Sequence, residues 1–132
     1  MTKNFSLKEF DCKGNCKECK DGCDMPSDVY MNIIKLVKQL QFLRDYTGRA
    51  ITINSGYRSP EHNAKVGGSQ TSQHLLGKAA DITIEGLKPT EVYKIIEDLI
   101  DMGEMLQGGL GLYEEKGFVH YDIRKTKARW DA

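Results

Sequence analysis

The sequence predicts an α+β fold in which two main helices pack on a mainly antiparallel sheet. Two segments carry apolar residues at helical spacing, and four short runs rich in β-branched or aromatic residues lie between and after them. With 132 residues, 39% of them hydrophobic, the chain is long enough to bury one core. We therefore expect a single domain over residues 1–132, with a cysteine-rich N-terminal segment at 1–26.

The individual elements follow from local patterns. The apolar residues of the first helix recur on one face, and Thr47-Gly48 is a typical helix end. The turn at 114–117 favours a hairpin between the last two expected strands. The expected elements are a helix over 28–46, a strand over 50–54, a helical turn over 60–66, a loop over 67–73, a strand over 78–84, a helix over 90–102, and strands over 109–113 and 118–123.

The charge balance argues against nucleic acid as a partner. The 19 basic and 19 acidic residues cancel, whereas a nucleic-acid-binding domain needs a basic excess. No run of about 18 apolar residues is present, so we expect no insertion into a membrane. The first ten residues lack the apolar stretch of a signal peptide, so we expect synthesis in the cytoplasm.

A histidine and an aspartate close together in the sequence indicate a metal site. If residues 78–84 form a strand, Asp81 lies in its middle beside apolar neighbours, where an uncompensated charge is costly. A metal ion would compensate it, and Gly77 allows the backbone to turn so that His74 returns towards Asp81. The alternative makes Asp81 a solvated edge-strand residue and His74 an ordinary loop histidine.

A second histidine lies in the last expected strand. Phe118, His120 and Asp122 would share one face of that strand. Taken alone, this pattern is more typical of a solvated face than of a binding site. Together with His74 and Asp81, however, it completes the two histidines and one carboxylate of a catalytic zinc site, which leaves a fourth position for water.

At these residues the sequence resembles the M15 family of zinc peptidases. Members of this family include D-Ala-D-Ala carboxypeptidases and phage endolysins that cleave L-Ala–D-Glu bonds. The family's Ser-x-His-x6-Asp motif is met at 72–81, its late histidine followed by x-Asp at 119–122, and its Ser-Gly-Tyr-Arg segment at 55–58. The resemblance extends over residues 5–130.

The resemblance implies a Hedgehog/DD-peptidase-like fold, a zinc cofactor and a set of site residues. Arg58 would bind a carboxylate or carbonyl oxygen of the substrate, for which a guanidinium group is well suited. Ser72 and Gln73 would help to line the site. The residues that match the family's zinc ligands are His74, Asp81 and His120.

The sequence departs from the family at the group that transfers a proton. Many relatives place a histidine two residues before the last ligand or a glutamate three before it, but here these residues are Phe118 and Gly117. Glu114 lies six residues before that ligand, in a turn that resembles one in the Hedgehog signalling domain. Our hypothesis is that Glu114 orients the attacking water and moves its proton, with Asp122 as the second candidate. The alternative is that Glu114 is a surface residue, as we expect His62 to be unless it supports the site.

The N-terminal segment contains all four cysteines of the chain, with the spacing C-x3-C-x2-C-x3-C. Four thiols so close together favour a second, structural zinc site. Two disulfides are the main alternative, if the protein works outside the cell, and an iron–sulfur cluster is a further one. The four residues are Cys12, Cys16, Cys19 and Cys23.

The expected function is hydrolysis of a peptide bond in bacterial peptidoglycan peptides, by a carboxypeptidase or an endopeptidase. We expect a monomer that acts at the cell wall after release, in the manner of a phage or prophage lysis enzyme. One alternative is a non-catalytic, zinc-containing module that binds the cell wall. Another is a structural protein of a virion tail.

Overall fold

The computed structural model describes residues 2–11 and 26–132. The cysteine site predicted from the sequence lies outside the described residues. The helices are α1 (Ser27–Thr47), α2 (Pro60–Lys65) and α3 (Pro89–Asp101); the strands are β1 (Ile51–Ser55), β2 (Ala79–Ile84), β3 (Gly109–Tyr113), β4 (Phe118–Asp122) and β5 (Ala128–Asp131); and 3-10 turns span Leu7–Phe10 and Gln73–Leu76.

The helices begin and end where local chemistry favours it. Gly48 follows α1 with a φ of 65°, a left-handed conformation that glycine adopts without a Cβ clash, and its N–H donates to the Arg44 carbonyl. Pro89 opens α3, where the missing N–H of proline costs no helical hydrogen bond. The Lys88 N–H, just outside this helix, donates to the Glu91 side chain. Both main helices therefore agree with the sequence to within one residue at each end.

The five strands form one sheet in the order β1-β2-β4-β3-β5. Neighbouring strands are antiparallel except for β3 and β5, which are parallel. The predicted α+β class with a mainly antiparallel sheet is thus confirmed. Strand β5 was not expected from the sequence, because its four residues, Ala-Arg-Trp-Asp, carry no alternation of apolar and polar side chains.

One face of the sheet joins the helices in the hydrophobic core. The residues that alternate towards this face are fully or almost fully buried, and they pack with apolar residues from α1 and α3. Among the helices that the structure describes, none combines the length and the apolar character needed to cross a bilayer. The core residues of the sheet include Ile53, Ala80, Ile82, Ile84, Leu110, Val119 and Tyr121.

Candidate metal centre

The opposite face of the sheet carries a row of paired residues that crosses all five strands. Ser55 pairs with Asp81, Asp81 with His120, His120 with Gly111, and Gly111 with Trp130. A bulge in β1 shifts the register just before Ser55 and brings that residue into the row. Directly paired residues project to the same face of a sheet, so this row forms the floor of the site.

His74 reaches the row from the 3-10 turn Gln73–Leu76. The backbone N–H of His74 donates to Ser72 Oγ over 3.2 Å, which caps the turn at its start. Gly77 ends the turn with a φ of 72°, and a Cβ at this position would lie 2.7 Å from the Val29 carbonyl oxygen. Only glycine combines this conformation with such a close approach to α1. Gly77 thus lets the turn pack against α1 in the position that places His74 over the sheet, where His74 is 3% exposed.

The two histidines and the aspartate converge on one point. His74 Nε2 lies 3.2 Å and His120 Nδ1 lies 3.1 Å from the same oxygen, Asp81 Oδ1. The other ring nitrogens have strong acceptors of their own: His74 Nδ1–H donates to the Gly56 carbonyl at 2.7 Å, and His120 Nε2–H donates to Asp122 Oδ2 at 2.7 Å. These acceptors decide which nitrogen of each imidazole faces Asp81.

This arrangement favours positive charge, carried by protons or by a metal ion, between the three side chains. When its outer nitrogen carries the proton, a neutral imidazole turns a lone pair towards Asp81 Oδ1, which is itself an acceptor. Two acceptor-to-acceptor contacts at about 3 Å are repulsive unless protons or a metal ion lie between them. Burial acts to lower the pKa of His120, but the carboxylates of Asp122 and Asp81 beside the ring outweigh burial and raise that pKa. The centre therefore favours positive charge.

The same donors fit a zinc ion. Ligand atoms about 2.1 Å from a tetrahedral zinc ion lie about 3.4 Å from one another, close to the two distances measured here. All three donor atoms lie within 4.8 Å of one another and belong to buried residues. Burial raises the pKa of the Asp81 carboxyl, but the two histidines beside it outweigh burial and hold that pKa well below its usual range. The centre thus offers an ionised carboxylate and two imidazoles whose free nitrogens face inwards.

Asp122 lies behind His120 and is completely buried. Its carboxylate accepts two hydrogen bonds from the Arg124 guanidinium, at 2.8 and 2.7 Å, and one from the Gly109 N–H at 2.9 Å, besides the one from His120. The solvated face that the strand pattern favours when taken alone is not found, since His120 is only 7% exposed. The strand is central in the sheet, and the buried charges compensate one another.

Arg58 borders the metal centre on its other side. Its guanidinium donates to Ser55 Oγ at 3.2 Å, to Asn63 Oδ1 at 3.4 Å and to Asp81 Oδ2 at 3.4 Å. Asn63 is itself buried and donates to the Ser69 carbonyl at 2.9 Å, so it joins Arg58 to the loop that follows α2. The guanidinium is thereby held beside the predicted ligand without pointing freely into solvent.

The centre opens into a cleft of about 510 Å³. One wall is the loop and turn from Gly67 to Gln73, which includes the predicted site residues Ser72 and Gln73. The other wall combines aromatic and cationic side chains from β3, β4, β5 and the turns between them. These residues are Tyr113, Lys116, Phe118, Arg124 and Trp130.

Two predicted residues lie apart from this convergence. Glu114 is exposed at the start of the turn between β3 and β4, and its neighbour Tyr113 lines the cleft while Glu114 does not. His62 is partly buried on α2, where burial and the charges of Arg58 and Lys65 lower its pKa. Glu114 remains a candidate for proton transfer only because of its position in the turn beside the cleft.

Sequence reasoning missed the contributions of Arg124 and Trp130. The signal for them is the alternation Gly109-x-Gly111 in a strand, since glycine in a strand marks the close approach of another group. A Cβ at Gly109 would lie 2.3 Å from Asp122 Oδ2, and one at Gly111 would lie 2.4 Å from the Trp130 indole. The two glycines thus make room for the support of the metal centre.

The sequence of the chain matches those of known proteins. A sequence model of the family Peptidase M15 matches residues 3–122, which include all three residues of the metal centre. The zinc D-Ala-D-Ala carboxypeptidase of Streptomyces albus G is 40% identical over 52 residues, or 39% of this chain. The match spans only 20% of the length of that relative. The family match covers most of the chain and confirms the resemblance, and the chain therefore belongs to the M15 peptidase family.

Proposed function

We propose that the chain is a zinc-dependent peptidase that hydrolyses a peptide bond in bacterial peptidoglycan peptides. The observation that carries the proposal is the pair of imidazole nitrogens turned towards one buried carboxylate oxygen at the base of an open cleft. His74, Asp81 and His120 would hold the zinc ion. When bound, zinc supplies Lewis acidity, which lowers the pKa of water and polarises a carbonyl group.

Arg58 binds the substrate in this proposal. Its guanidinium lines the cleft beside Asp81, and its side chain is 17% exposed. A guanidinium in this position can donate two parallel hydrogen bonds to a terminal carboxylate, or one to the carbonyl oxygen of the bond that is cut. Ser72 and Gln73, on the wall that adjoins His74, are proposed to contact the peptide backbone.

Glu114 is proposed to take up and return the proton of the attacking water. It follows Tyr113, which lines the cleft, and its exposed side chain is not part of the buried network. Asp122 is the less suitable group, because both of its oxygens already accept hydrogen bonds and its residue is completely buried. Its position behind His120 suits orientation of the ring better than proton transfer.

The neighbouring glutamates provide a matched pair of variants for this role. Glu114→Gln should lower turnover by about a hundredfold or more, the size expected for loss of a general base, whereas Glu115→Gln should keep it. Zinc content should be unchanged in both variants. Full turnover in Glu114→Gln, together with its loss in Asp122→Asn shown to be saturated with zinc, would assign the proton transfer to Asp122 instead.

The proposed activity is tested on purified peptidoglycan. The zinc-loaded protein should release soluble fragments, a chelator should stop the release, and mass spectrometry of the new ends should show whether the enzyme is a carboxypeptidase or an endopeptidase. Absence of release from several wall chemotypes by protein shown to contain zinc would contradict the proposal. Action at the cell wall, by a monomer in phage or prophage lysis, is part of the proposal and is supported by the resemblance alone.

A non-catalytic module that binds the cell wall is the second candidate function. The observation that favours it is that, among the residues the structure describes, Asp81 is the one carboxylate that lines the cleft. Such a module would bind insoluble peptidoglycan in a zinc-dependent manner and release no fragments. Sedimentation with peptidoglycan, measured beside the digest, separates the two functions.

A further inference from the structure

Trp130 closes the metal centre on the side away from Asp81. Its indole ring lies 4.9 Å from the His120 imidazole, centroid to centroid, at an angle of 52°. The indole Nε1–H donates to the Tyr113 hydroxyl at 3.0 Å, and the Arg124 guanidinium lies over the indole at 5.4 Å. The indole is thus fixed by a hydrogen bond and a cation–π contact while it packs on a predicted ligand.

Gly111 is what allows this packing. It lies between His120 and Trp130 in the row across the sheet, and a Cβ there would lie 2.4 Å from indole atoms. Its strand β3 is paired on both sides, so the backbone cannot easily move to relieve that contact. Trp130 therefore fills the space that a side chain at position 111 would occupy. It lies on β5, which follows the part of the chain that the family model matches.

We propose that Trp130 is a positioning residue that holds the His120 ring with Nδ1 towards the metal. Asp122 holds one atom of the ring, Nε2, through a hydrogen bond of 2.7 Å, and a single hydrogen bond does not by itself set the plane of the ring. The indole packs against the ring and fixes its plane, so the nitrogen is in place before a metal binds. The inference rests on the proposed metal site and not on the reaction, so a failure of the peptidase assay leaves it standing.

Zinc affinity tests the inference through variants on both sides of the contact. Trp130→Leu removes the ring and Gly111→Ala displaces it, and each should weaken zinc binding by about tenfold, as expected for loss of support to a ligand. Trp130→Phe keeps a ring and should restore most of the affinity. Tyr46→Leu, a change at an exposed aromatic residue of α1, is the control and should leave the affinity unchanged.

Zinc affinity is measured by competition with a chromophoric chelator. The zinc that the wild-type protein binds and the Asp81→Ala variant does not is assigned to this metal centre. Wild-type affinity in both Trp130→Leu and Gly111→Ala, whatever their melting temperatures, would overturn the inference. A purely structural role of Trp130 would lower the melting temperature and leave zinc affinity unchanged.

The wild-type protein supplies a second test that needs no variant at Trp130. Trp130 is the one tryptophan of the chain, so its fluorescence reports on this contact. Bound Co²⁺ should quench that fluorescence, excess Zn²⁺ should restore it, and Asp81→Ala should abolish the quenching. Co²⁺ binding that leaves the fluorescence unchanged, or quenching that persists in Asp81→Ala, would contradict the placement of Trp130 and overturn the inference.

Discussion

The two histidines of the metal centre are held in different ways. His74 lies in a short turn, and its outer nitrogen donates to the backbone carbonyl of Gly56. His120 lies in a central strand, and its outer nitrogen donates to the buried side chain of Asp122. A ligand held by backbone depends on the fold around it, whereas a ligand held by side chains can be released by a single substitution.

The surroundings of each histidine follow from this difference. A Cβ at Gly56 would lie 2.8 Å from the Cα of Phe10, so the carbonyl that supports His74 is placed by the contact between this segment and the turn Leu7–Phe10. Asp122 is instead kept ionised by the charged side chains that contact it. Burial raises the pKa of its carboxyl, but hydrogen bonds from His120 and Arg124 outweigh burial and hold that pKa well below its usual range.

The largest effect on zinc affinity is expected for a substitution of Asp81. Asp81 contacts both histidines, so Asp81→Ala should lower zinc affinity by more than the roughly 10–100-fold that loss of a supporting hydrogen bond costs. Zinc should then raise the melting temperature by less than in the wild type, because a ligand stabilises only the state that binds it. Titration calorimetry and thermal unfolding with and without zinc measure both. Zinc-dependent stabilisation at the wild-type level in Asp81→Ala would show that the metal binds elsewhere.

The side-chain support of His120 should give the next largest effect. Asp122→Asn keeps the shape of the residue but removes the charge shared by His120 and Arg124, and it should weaken zinc binding by about 10–100-fold. Asp98→Asn, on the exposed surface of α3, is the matched control and should change zinc affinity little. Equal affinities for the two variants would mean that Asp122 does not support His120.

The backbone support of His74 should respond to changes in the fold. Gly77→Ala and Gly103→Ala both place a Cβ at a positive φ, which costs about 1–2 kcal/mol of stability in each case. Only the Cβ at position 77 meets another atom, the Val29 carbonyl oxygen, whereas nothing lies within 4 Å at position 103. Gly77→Ala should therefore be the less stable variant in denaturant unfolding, and it alone should weaken zinc binding. Equal stability and equal zinc affinity in the two variants would contradict the conclusion that the backbone around Gly77 supports His74.

The part of the site that lies in short sequence motifs could be predicted from the sequence. His74 and Asp81 are seven residues apart and share a motif, and Arg58 follows β1 in a recognisable segment. The burial of Asp122 could not be predicted, because it depends on the central position of β4 in the sheet and on its pairing with β3. Trp130 was missed for a related reason: its strand is short, and the parallel pairing of β5 with β3 is a contact between distant parts of the chain.

The most direct test is the zinc stoichiometry of a chain in which Cys12, Cys16, Cys19 and Cys23 are all replaced by serine. This variant removes the other predicted metal site and leaves the centre of His74, Asp81 and His120 intact. Once circular dichroism shows that it is folded, we predict one equivalent of tightly bound zinc, which is lost when Asp81→Ala is added. A folded variant that binds no zinc, or that keeps its zinc with Asp81→Ala, would contradict the assignment of the metal centre.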